Sequence, residues 1–139
     1  MKDEELIALA EQARENAYAP YSGYTVGAAL LCGDGTVTRG CNVENASYGA
    51  TVCAERTAVC AAIAAGRRDF KAIAIAGGKR GKPADTFFFP CGICRQFLRE
   101  FCGDDLAVLV SNGREVRRST LGELLPASFT GAAMEEMKP

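Results

Sequence analysis

The stretch CAERTAVCAAIAAGRRDFKAIAIAG, residues 53–77, carries the strongest indication of the fold class. Residues 53–65 are rich in strong helix formers, and the run stops at Gly66, a residue that commonly follows the last turn of a helix. Residues 71–77, KAIAIAG, form a short apolar run of strand length. A strand that is apolar throughout is typical of a sheet with helices on its faces, so this stretch predicts an α/β fold.

The chain before residue 53 predicts one helix and a pair of strands. Apolar residues recur at helical spacing over residues 3–17 and the pattern stops before Pro20, which predicts an amphipathic helix. Two runs, YTVGAALL and VTRGCNVE, then flank Asp34 and Gly35, a pair that is typical of tight hairpin turns. We therefore expect two antiparallel strands in this part of the chain.

The chain after residue 77 predicts two more helices and two more strands. The run CGICRQFLREFC, which starts at Cys91, predicts a third helix, and LAVLVSNGREVRR predicts two strands joined by a turn at 112–113. A short helix is expected from near Thr120, where Glu123 completes a capping box, to Pro126.

Together these elements predict one domain over residues 1–139, with strands separated by helices. The expected architecture is a three-layer α/β/α sandwich around a mixed five-stranded sheet. The sheet is expected to be mixed in direction because its first two strands form a hairpin. The polar tail after residue 129 is expected to be mobile.

The composition argues against two kinds of partner. A formal net charge of -1 and a pI of about 5.5 leave no basic surplus to neutralise a phosphate backbone, so we expect no nucleic-acid polymer as a partner. No stretch approaches the roughly 20 apolar residues of a membrane span, and the first residues do not have the pattern of a signal peptide. We therefore expect no membrane association and a cytoplasmic location.

The cysteines predict a metal site. The chain has 7 cysteines and no histidine, and an odd set of thiols in a reducing compartment is a poor disulfide framework. Cys91 and Cys94 are three positions apart in the first turn of a predicted helix, near enough to bind one metal ion together. Cys53 stands at another helix start, where the helix dipole favours a thiolate. A redox dithiol, a non-catalytic zinc module and buried packing cysteines remain alternatives at this point.

Three thiolates leave one position of a tetrahedral Zn²⁺ open to water, which distinguishes a catalytic zinc from a structural zinc with four protein ligands. Glu55, two residues after Cys53, is placed to act as general acid and base at that water. The alternative is that Glu55 is only a first-turn acid favoured by the helix dipole. Arg56 is expected to donate a hydrogen bond to a ligand sulfur and to offset the negative charge of the thiolates, the alternative being a surface arginine.

The other cysteines lack paired spacing and are interpreted as packing residues, although a fourth metal ligand at Cys41 or Cys102 would close the site. They are Cys32, Cys41, Cys60 and Cys102.

The pattern C-A-E followed by P-C-x-x-C resembles the signature of the zinc-dependent cytidine deaminases. The resemblance covers most of the chain in order, in the stretches PYSGYTVGAAL (20–30), CNVENASYG (41–49), CAERTA (53–58), PCGICRQ (90–96) and ELLPASF (123–129). It implies the cytidine deaminase fold and a homotetramer whose active sites are shared between subunits.

The resemblance also implies a reaction. Cytidine and 2′-deoxycytidine would be hydrolysed to uridine and 2′-deoxyuridine plus ammonia, as in pyrimidine salvage, with Zn²⁺ held by Cys53, Cys91 and Cys94. Glu55 would protonate N3 of the base and carry a proton to the departing ammonia. An aminohydrolase acting on a nucleoside antibiotic of the blasticidin S type shares these metal motifs and is the alternative.

The family's substrate-binding positions match six residues of this sequence: Asn42 and Glu44 for the ribose hydroxyls, Tyr24 and Phe129 for the pyrimidine, Ala54 as a further contact, and Tyr48 near a neighbouring subunit's site. The family pattern usually has phenylalanine where Tyr24 stands. The added hydroxyl must find water or a hydrogen-bond partner if it is buried.

Overall fold

Helices and strands alternate along the chain as the sequence predicts. Residues 1–136, which the computed structural model describes, form five α-helices and five strands: α1 (Asp3–Ala13), β1 (Tyr24–Cys32), β2 (Val37–Cys41), α2 (Ala54–Ala64), β3 (Phe70–Lys79), α3 (Gly92–Phe101), β4 (Ala107–Ser111), β5 (Val116–Thr120), α4 (Leu121–Leu124) and α5 (Gly131–Glu136).

The five strands form one sheet in the order β2-β1-β3-β4-β5. β1 pairs antiparallel with both β2 and β3, β4 pairs antiparallel with β5, and β3 and β4 are parallel. Gly35 and Gly113, each with a φ of 89°, provide the left-handed positions in the two hairpin turns. The prediction of a mixed five-stranded sheet is therefore confirmed.

β3 separates two hydrophobic clusters because successive side chains of a strand point to opposite faces of the sheet. Ala72, Ala74 and Ala76 pack in the cluster that contains Leu6 and Ala10 of α1. Their neighbours Ile73 and Ile75 pack in the cluster that contains the buried residues of α2 and α3. The sheet thus has α1 on one face and α2 and α3 on the other, which is the predicted three-layer sandwich.

The first helix is shorter than predicted. α1 ends at Ala13 instead of residue 17, and residues 14–16 continue as a single 3₁₀ turn. Arg14 accounts for the change: its buried guanidinium donates from Nε to the backbone oxygen of Thr25 at 3.0 Å and from Nη2 to that of Lys79 at 3.1 Å. These bonds fix the chain to β1 and β3 at this point, and a tighter last turn is a common helix ending.

The C-terminal segment contains the short helix α5, which the sequence analysis did not predict. The expected mobility of the tail after residue 129 stays a prediction, and the last three residues of that tail lie outside the described part of the chain. Among the helices described, the longest have 11 residues, and none has the length and hydropathy that crossing a bilayer requires.

Gly27 lies where α1 crosses β1, and this crossing provides a test of the packing. A Cβ at Gly27 would lie 1.9 Å from the backbone oxygen of Ala10 and 2.9 Å from the backbone nitrogen of Arg14. Because backbone atoms cannot rotate away, we expect Gly27→Ala to lower the free energy of unfolding by about 3 kcal/mol, as overpacking does. Urea unfolding followed by circular dichroism measures this change.

Gly49→Ala is the matched control, since a Cβ at Gly49 has no neighbour within 4 Å. We expect it to change the free energy of unfolding by less than about 1 kcal/mol. Equal effects of the two substitutions would mean that α1 does not pack on the backbone of β1.

Candidate functional site

Three cysteine sulfurs meet at the N-terminal ends of α2 and α3. The Sγ atoms of Cys53, Cys91 and Cys94 all lie within 4.8 Å of one another. Cys53 and Cys91 occupy the N-cap positions of α2 and α3, and Cys94 lies in the first turn of α3. Zn–S bonds of about 2.3 Å place the sulfurs of a tetrahedral site about 3.8 Å apart, so these three fit one zinc ion after small side-chain adjustments.

The structure shows no fourth protein ligand beside the sulfur cluster in the part of the chain whose side chains it describes. Within residues 1–135, no other cysteine or carboxylate lies close enough to all three sulfurs to join the group. The alternative that Cys41 or Cys102 closes the site is therefore not realised in the described chain. Three ligands and one open position are the arrangement expected of a catalytic zinc.

The surroundings of Cys53 favour its thiolate form. Although Cys53 is partly buried, the Cys94 thiol as hydrogen-bond donor, followed by the Arg56 guanidinium, lowers the pKa of Cys53 to about 5. The same hydrogen bond, together with burial, raises the pKa of Cys94. A metal cation bound by both sulfurs replaces that shared proton, because a coordinating thiol is deprotonated.

Glu55 lies in the first turn of α2, where only 4% of its surface is exposed. Burial raises the pKa of Glu55 to about 7, and the negative charge of Cys53 acts in the same direction. A divalent cation at the cluster would act in the opposite direction. A buried carboxyl group that titrates near neutrality can both accept and release a proton.

Arg56 lies beside the sulfur cluster. Its Nη2 is 3.8 Å from Sγ of Cys53 and donates to the backbone oxygen of Thr51 at 3.2 Å. Its Nε is buried and has no hydrogen-bond partner among the described residues. The guanidinium therefore places a positive charge next to the thiolates.

The N-terminal end of α2 is anchored directly on β2. A Cβ at Gly40 would lie 2.4 Å from the backbone nitrogen of Ala58 and 2.6 Å from the backbone oxygen of Ala54, so the helix can approach this closely only because residue 40 is glycine. The Thr57 hydroxyl lies 2.8 Å from the backbone oxygen of Cys41 and 2.9 Å from that of Ala54, to which it can donate. These contacts hold Cys53 and Glu55 in position relative to the sheet.

A cavity of about 270 Å³ lies beside the sulfur cluster, at the edge of the sheet where β1 begins. Six of the residues predicted from the sequence line it: Tyr24, Asn42, Cys53, Ala54, Glu55 and Cys91. Apolar walls with a few polar groups are typical of a site for a small molecule. The structure therefore brings two of the three predicted metal ligands, the predicted acid and base and part of the predicted substrate contacts to one cavity, while Cys94 lies behind them in the sulfur cluster.

Phe88 and Phe89 also line the cavity, although the sequence analysis did not identify them. The Phe88 ring centroid is 6.3 Å from that of Tyr24, with the planes tilted by 49°. Gly77 makes room for this ring, since a Cβ there would lie 2.9 Å from Phe88. The sequence does contain a sign of these residues: three phenylalanines stand directly before Pro90, and such an apolar run is unusual for an exposed loop.

Asn42 and Glu44 follow the end of β2; Asn42 contacts the start of β1, and Glu44 contacts the loop before it. Oδ1 of the buried Asn42 accepts from the backbone nitrogen of Val26 at 2.9 Å, and its Nδ2 donates to the backbone oxygen of Tyr24 at 3.0 Å. Oε1 of Glu44 accepts from the backbone nitrogens of Tyr21 and Ser22 at 2.9 and 3.0 Å. Asn42 thus holds the start of β1, and Glu44 holds the loop that precedes it.

Glu44, Tyr48 and Phe129 do not line the cavity of the chain by itself. The side chains of Tyr48 and Phe129 are 76% and 59% exposed. The backbone oxygen of Phe129 accepts from Nε2 of Gln96 at 3.0 Å, which fixes its segment on α3. Tyr48 contacts Tyr21 edge to face, with ring centroids 6.1 Å apart.

The four remaining cysteines differ in burial. Cys32 is buried in the core, and Cys41 and Cys102 are half-buried. Cys60 is exposed, so its interpretation as a packing residue is wrong for the chain by itself. The reason is its position on α2, whose buried residues, among them Ala58, Val59 and Ala62, lie on the other side of the helix.

Comparisons with known proteins identify the family. Residues 1–110 match the family model described as the cytidine and deoxycytidylate deaminase zinc-binding region. The cytidine deaminase of Halalkalibacterium halodurans is 51% identical over 133 residues, which cover 94% of this chain and 96% of that protein. The crystal structure of cytidine deaminase from Burkholderia pseudomallei matches with a TM-score of 0.85 and 48% identity, covering 93% of this chain and 100% of that one.

One relative is named for a different activity, and its sequence identity to this chain is lower. The blasticidin-S deaminase of Bacillus cereus is 28% identical over 132 residues, covering 93% of each chain. Three findings agree with one another. The family model matches most of the chain, a relative covered over 96% of its length is 51% identical, and a solved cytidine deaminase shares the fold. The chain belongs to the zinc-binding cytidine and deoxycytidylate deaminase family.

Proposed function

We propose that this protein hydrolyses cytidine and 2′-deoxycytidine to uridine and 2′-deoxyuridine with release of ammonia, as an enzyme of pyrimidine salvage. The observation that carries the proposal is the placement of the buried Glu55 carboxyl group in a cavity that lies beside the three-sulfur cluster. The family relationship supports the same reaction.

Zn²⁺ is the cofactor, and Cys53, Cys91 and Cys94 are proposed as its ligands. When bound, zinc lowers the pKa of water at its open position towards neutrality, which makes the water a nucleophile. The Arg56 guanidinium beside Cys53 reduces the net negative charge of the three thiolates and so preserves the strength of the metal as a Lewis acid.

Glu55 is proposed to move the protons of the reaction. It takes one proton from the attacking water and delivers it to N3 of the pyrimidine as oxygen adds to C4. It then transfers the remaining hydroxyl proton to the amino group, so that the C4–N bond breaks and ammonia leaves. General acid–base catalysis of this kind contributes typically 10² to 10⁴ in rate.

The rings of Tyr24 and Phe88 are proposed to enclose the base, with Ala54 as a further contact. Planar aromatic side chains favour stacking on a flat heterocycle. The apolar walls also exclude water from the reacting atoms, which strengthens the electrostatic interactions within the cavity.

Asn42 and Glu44 are proposed to bind the sugar. Within residues 1–136, the amide of Asn42 uses one N–H on Tyr24, which leaves one donor free. The carboxylate of Glu44 accepts three hydrogen bonds from Tyr21 and Ser22, which leaves about one of its four acceptor positions. One free donor and one free acceptor suffice for a single hydroxyl, so removal of the 2′-hydroxyl alone is not expected to abolish binding.

A homotetramer with shared active sites is proposed because the two aromatic substrate contacts Tyr48 and Phe129 lie outside the chain's own cavity. Tyr48 and Phe129 are large, exposed aromatic side chains, and such residues are enriched at protein interfaces. In the assembly, each would reach the cavity of a neighbouring subunit. A cytoplasmic location is proposed as well, because a thiolate metal site is most easily kept in a reducing compartment.

The proposed function is tested by ultraviolet assays of four compounds with the metal-loaded protein: cytidine, 2′-deoxycytidine, 2′,3′-dideoxycytidine and blasticidin S. We expect similar kcat/KM for the first two, a decrease of at least about tenfold for the dideoxy compound, whose sugar lacks the recognised hydroxyl, and little turnover of the antibiotic. A chelator should abolish activity and added Zn²⁺ should restore it. A clear preference for blasticidin S would favour the antibiotic aminohydrolase, and activity that survives complete metal removal would exclude the zinc mechanism.

A further inference from the structure

Ser22 connects the cavity to Glu44. Ser22 lines the cavity, whereas Glu44 does not. The Ser22 hydroxyl donates to Oε2 of Glu44 at 2.5 Å, and the backbone nitrogen of Ser22 donates to Oε1 at 3.0 Å. One residue therefore contacts both oxygens of the carboxylate.

The same hydroxyl also holds the start of β1. Oγ of Ser22 accepts from the backbone nitrogen of Tyr24 at 3.0 Å. A hydroxyl has one proton and two acceptor lone pairs, so the proton is committed to Glu44 and one lone pair to Tyr24. The network thus ties the carboxylate to the backbone of a residue whose ring lines the cavity.

We propose that Ser22 is a positioning residue for nucleoside binding, which fixes the Glu44 carboxylate in the orientation that accepts a sugar hydroxyl. The proposal rests on the proposed function of the site, in which Glu44 binds the sugar.

The charge of Glu44 agrees with this role. Its hydrogen bonds, first of all the one from the Ser22 hydroxyl, hold the pKa of Glu44 below its usual range, so the carboxylate is charged at neutral pH. Without the hydroxyl, Oε2 loses its only protein donor among the described residues, while Oε1 keeps two backbone donors. The carboxylate can then rotate about the Oε1 contacts, and Oε2 is no longer held in one place.

The experiment compares Ser22→Ala and Ser22→Thr with the unchanged, zinc-loaded protein. We expect Ser22→Ala to raise KM for cytidine about tenfold with kcat changed less than about threefold, because a carboxylate that is no longer held in one orientation binds the sugar hydroxyl more weakly in the ground state and the transition state alike. Ser22→Thr keeps the hydroxyl at an exposed position, so KM should return to within about threefold of the original value. Binding of the product uridine, measured by calorimetry, should weaken in parallel with the rise in KM.

A comparison of KM for two sugars distinguishes a positioning role of Ser22 from a general disturbance of the cavity. If Ser22 acts through Glu44 on the sugar, Ser22→Ala should leave KM for 2′,3′-dideoxycytidine within about twofold of the original, because this compound lacks the hydroxyl in question. A rise in KM of equal size for both compounds would overturn the proposal, and so would an unchanged KM for cytidine in Ser22→Ala. Inactivity of the unchanged protein on cytidine would refute the proposed function itself, a result that does not depend on Ser22.

Thr36→Val is the matched control. The Thr36 hydroxyl donates to Oδ1 of Asp34 at 2.7 Å, and the backbone nitrogen of Thr36 donates to the same oxygen at 3.0 Å, so the loop between β1 and β2 has a similar hydroxyl–carboxylate contact away from the cavity. We expect this variant to leave KM for both nucleosides unchanged. A similar KM increase in Thr36→Val would show that any loosened loop has the effect and would contradict a specific role of Ser22.

Discussion

Glu55→Gln is expected to keep the fold and about one zinc per chain while it lowers kcat by 10² to 10⁴. Glutamine has nearly the same shape as glutamate but cannot accept a proton from water and pass it to the base. The metal should remain because Glu55 lies outside the group of three sulfurs. Steady-state kinetics on cytidine, zinc analysis and thermal unfolding of the same preparation measure the three quantities.

Glu4→Gln provides the control for this substitution, since Glu4 is exposed on α1 and does not line the cavity. Its kcat should equal that of the unchanged protein. If Glu55→Gln retained kcat within tenfold, another group would be the proton carrier. If Glu55→Gln lost its zinc, the carboxylate would be a metal ligand and the site would be closed.

Cys91→Ala is expected to reduce the zinc content from about one to below about 0.2 per chain and to lower kcat/KM by at least about 10³. Only two sulfurs remain to bind the ion, and structural zinc sites derive about 10 to 16 kcal/mol of apparent binding free energy from their full ligand set. Cys91 is the exposed member of the cluster, so its truncation leaves no buried cavity. Metal analysis after gel filtration without chelators gives the stoichiometry.

Cys60→Ala is the matched control, because Cys60 is an exposed cysteine like Cys91 but lies outside the sulfur cluster. Zinc content and activity should be unchanged in this variant. Full zinc occupancy in Cys91→Ala would mean that the metal is held elsewhere, and the assignment of Cys53, Cys91 and Cys94 would fail.

Except for α5, the elements of the fold were predictable because each has a local cause. The hairpin glycines Gly35 and Gly113 mark turns that require positive φ, and the apolar run of β3 marks a strand buried on both faces. The sheet order was not predictable, because pairing of β3 with β1 and β4 depends on contacts between distant parts of the chain. The end of α1 was missed because the bonds of Arg14 to β1 and β3 override the helical pattern.

The candidate site, too, was predictable from the sequence only in part. The spacing of Cys91 and Cys94 and the position of Cys53 at a helix start predicted a cluster that the structure places within 4.8 Å. Ser22 was missed because nothing in its local sequence reveals that the cavity lies beside it, and Phe88 was missed because the apolar run before Pro90 does not show which cavity it lines. Their contribution arises from the packing of Phe88 over Gly77 and from the approach of Glu44 to the loop before β1.

The central position of β3 has a consequence for the order in which the molecule assembles. The β1–β2 and β4–β5 hairpins are local in sequence, whereas β3 must pair with β1 on one side and β4 on the other. Cys53 precedes β3 along the chain, and Cys91 and Cys94 follow it. Because the ligands lie on both sides of β3 along the chain, we expect them to come together only once this strand is in place, so that metal uptake follows a late, long-range step of folding.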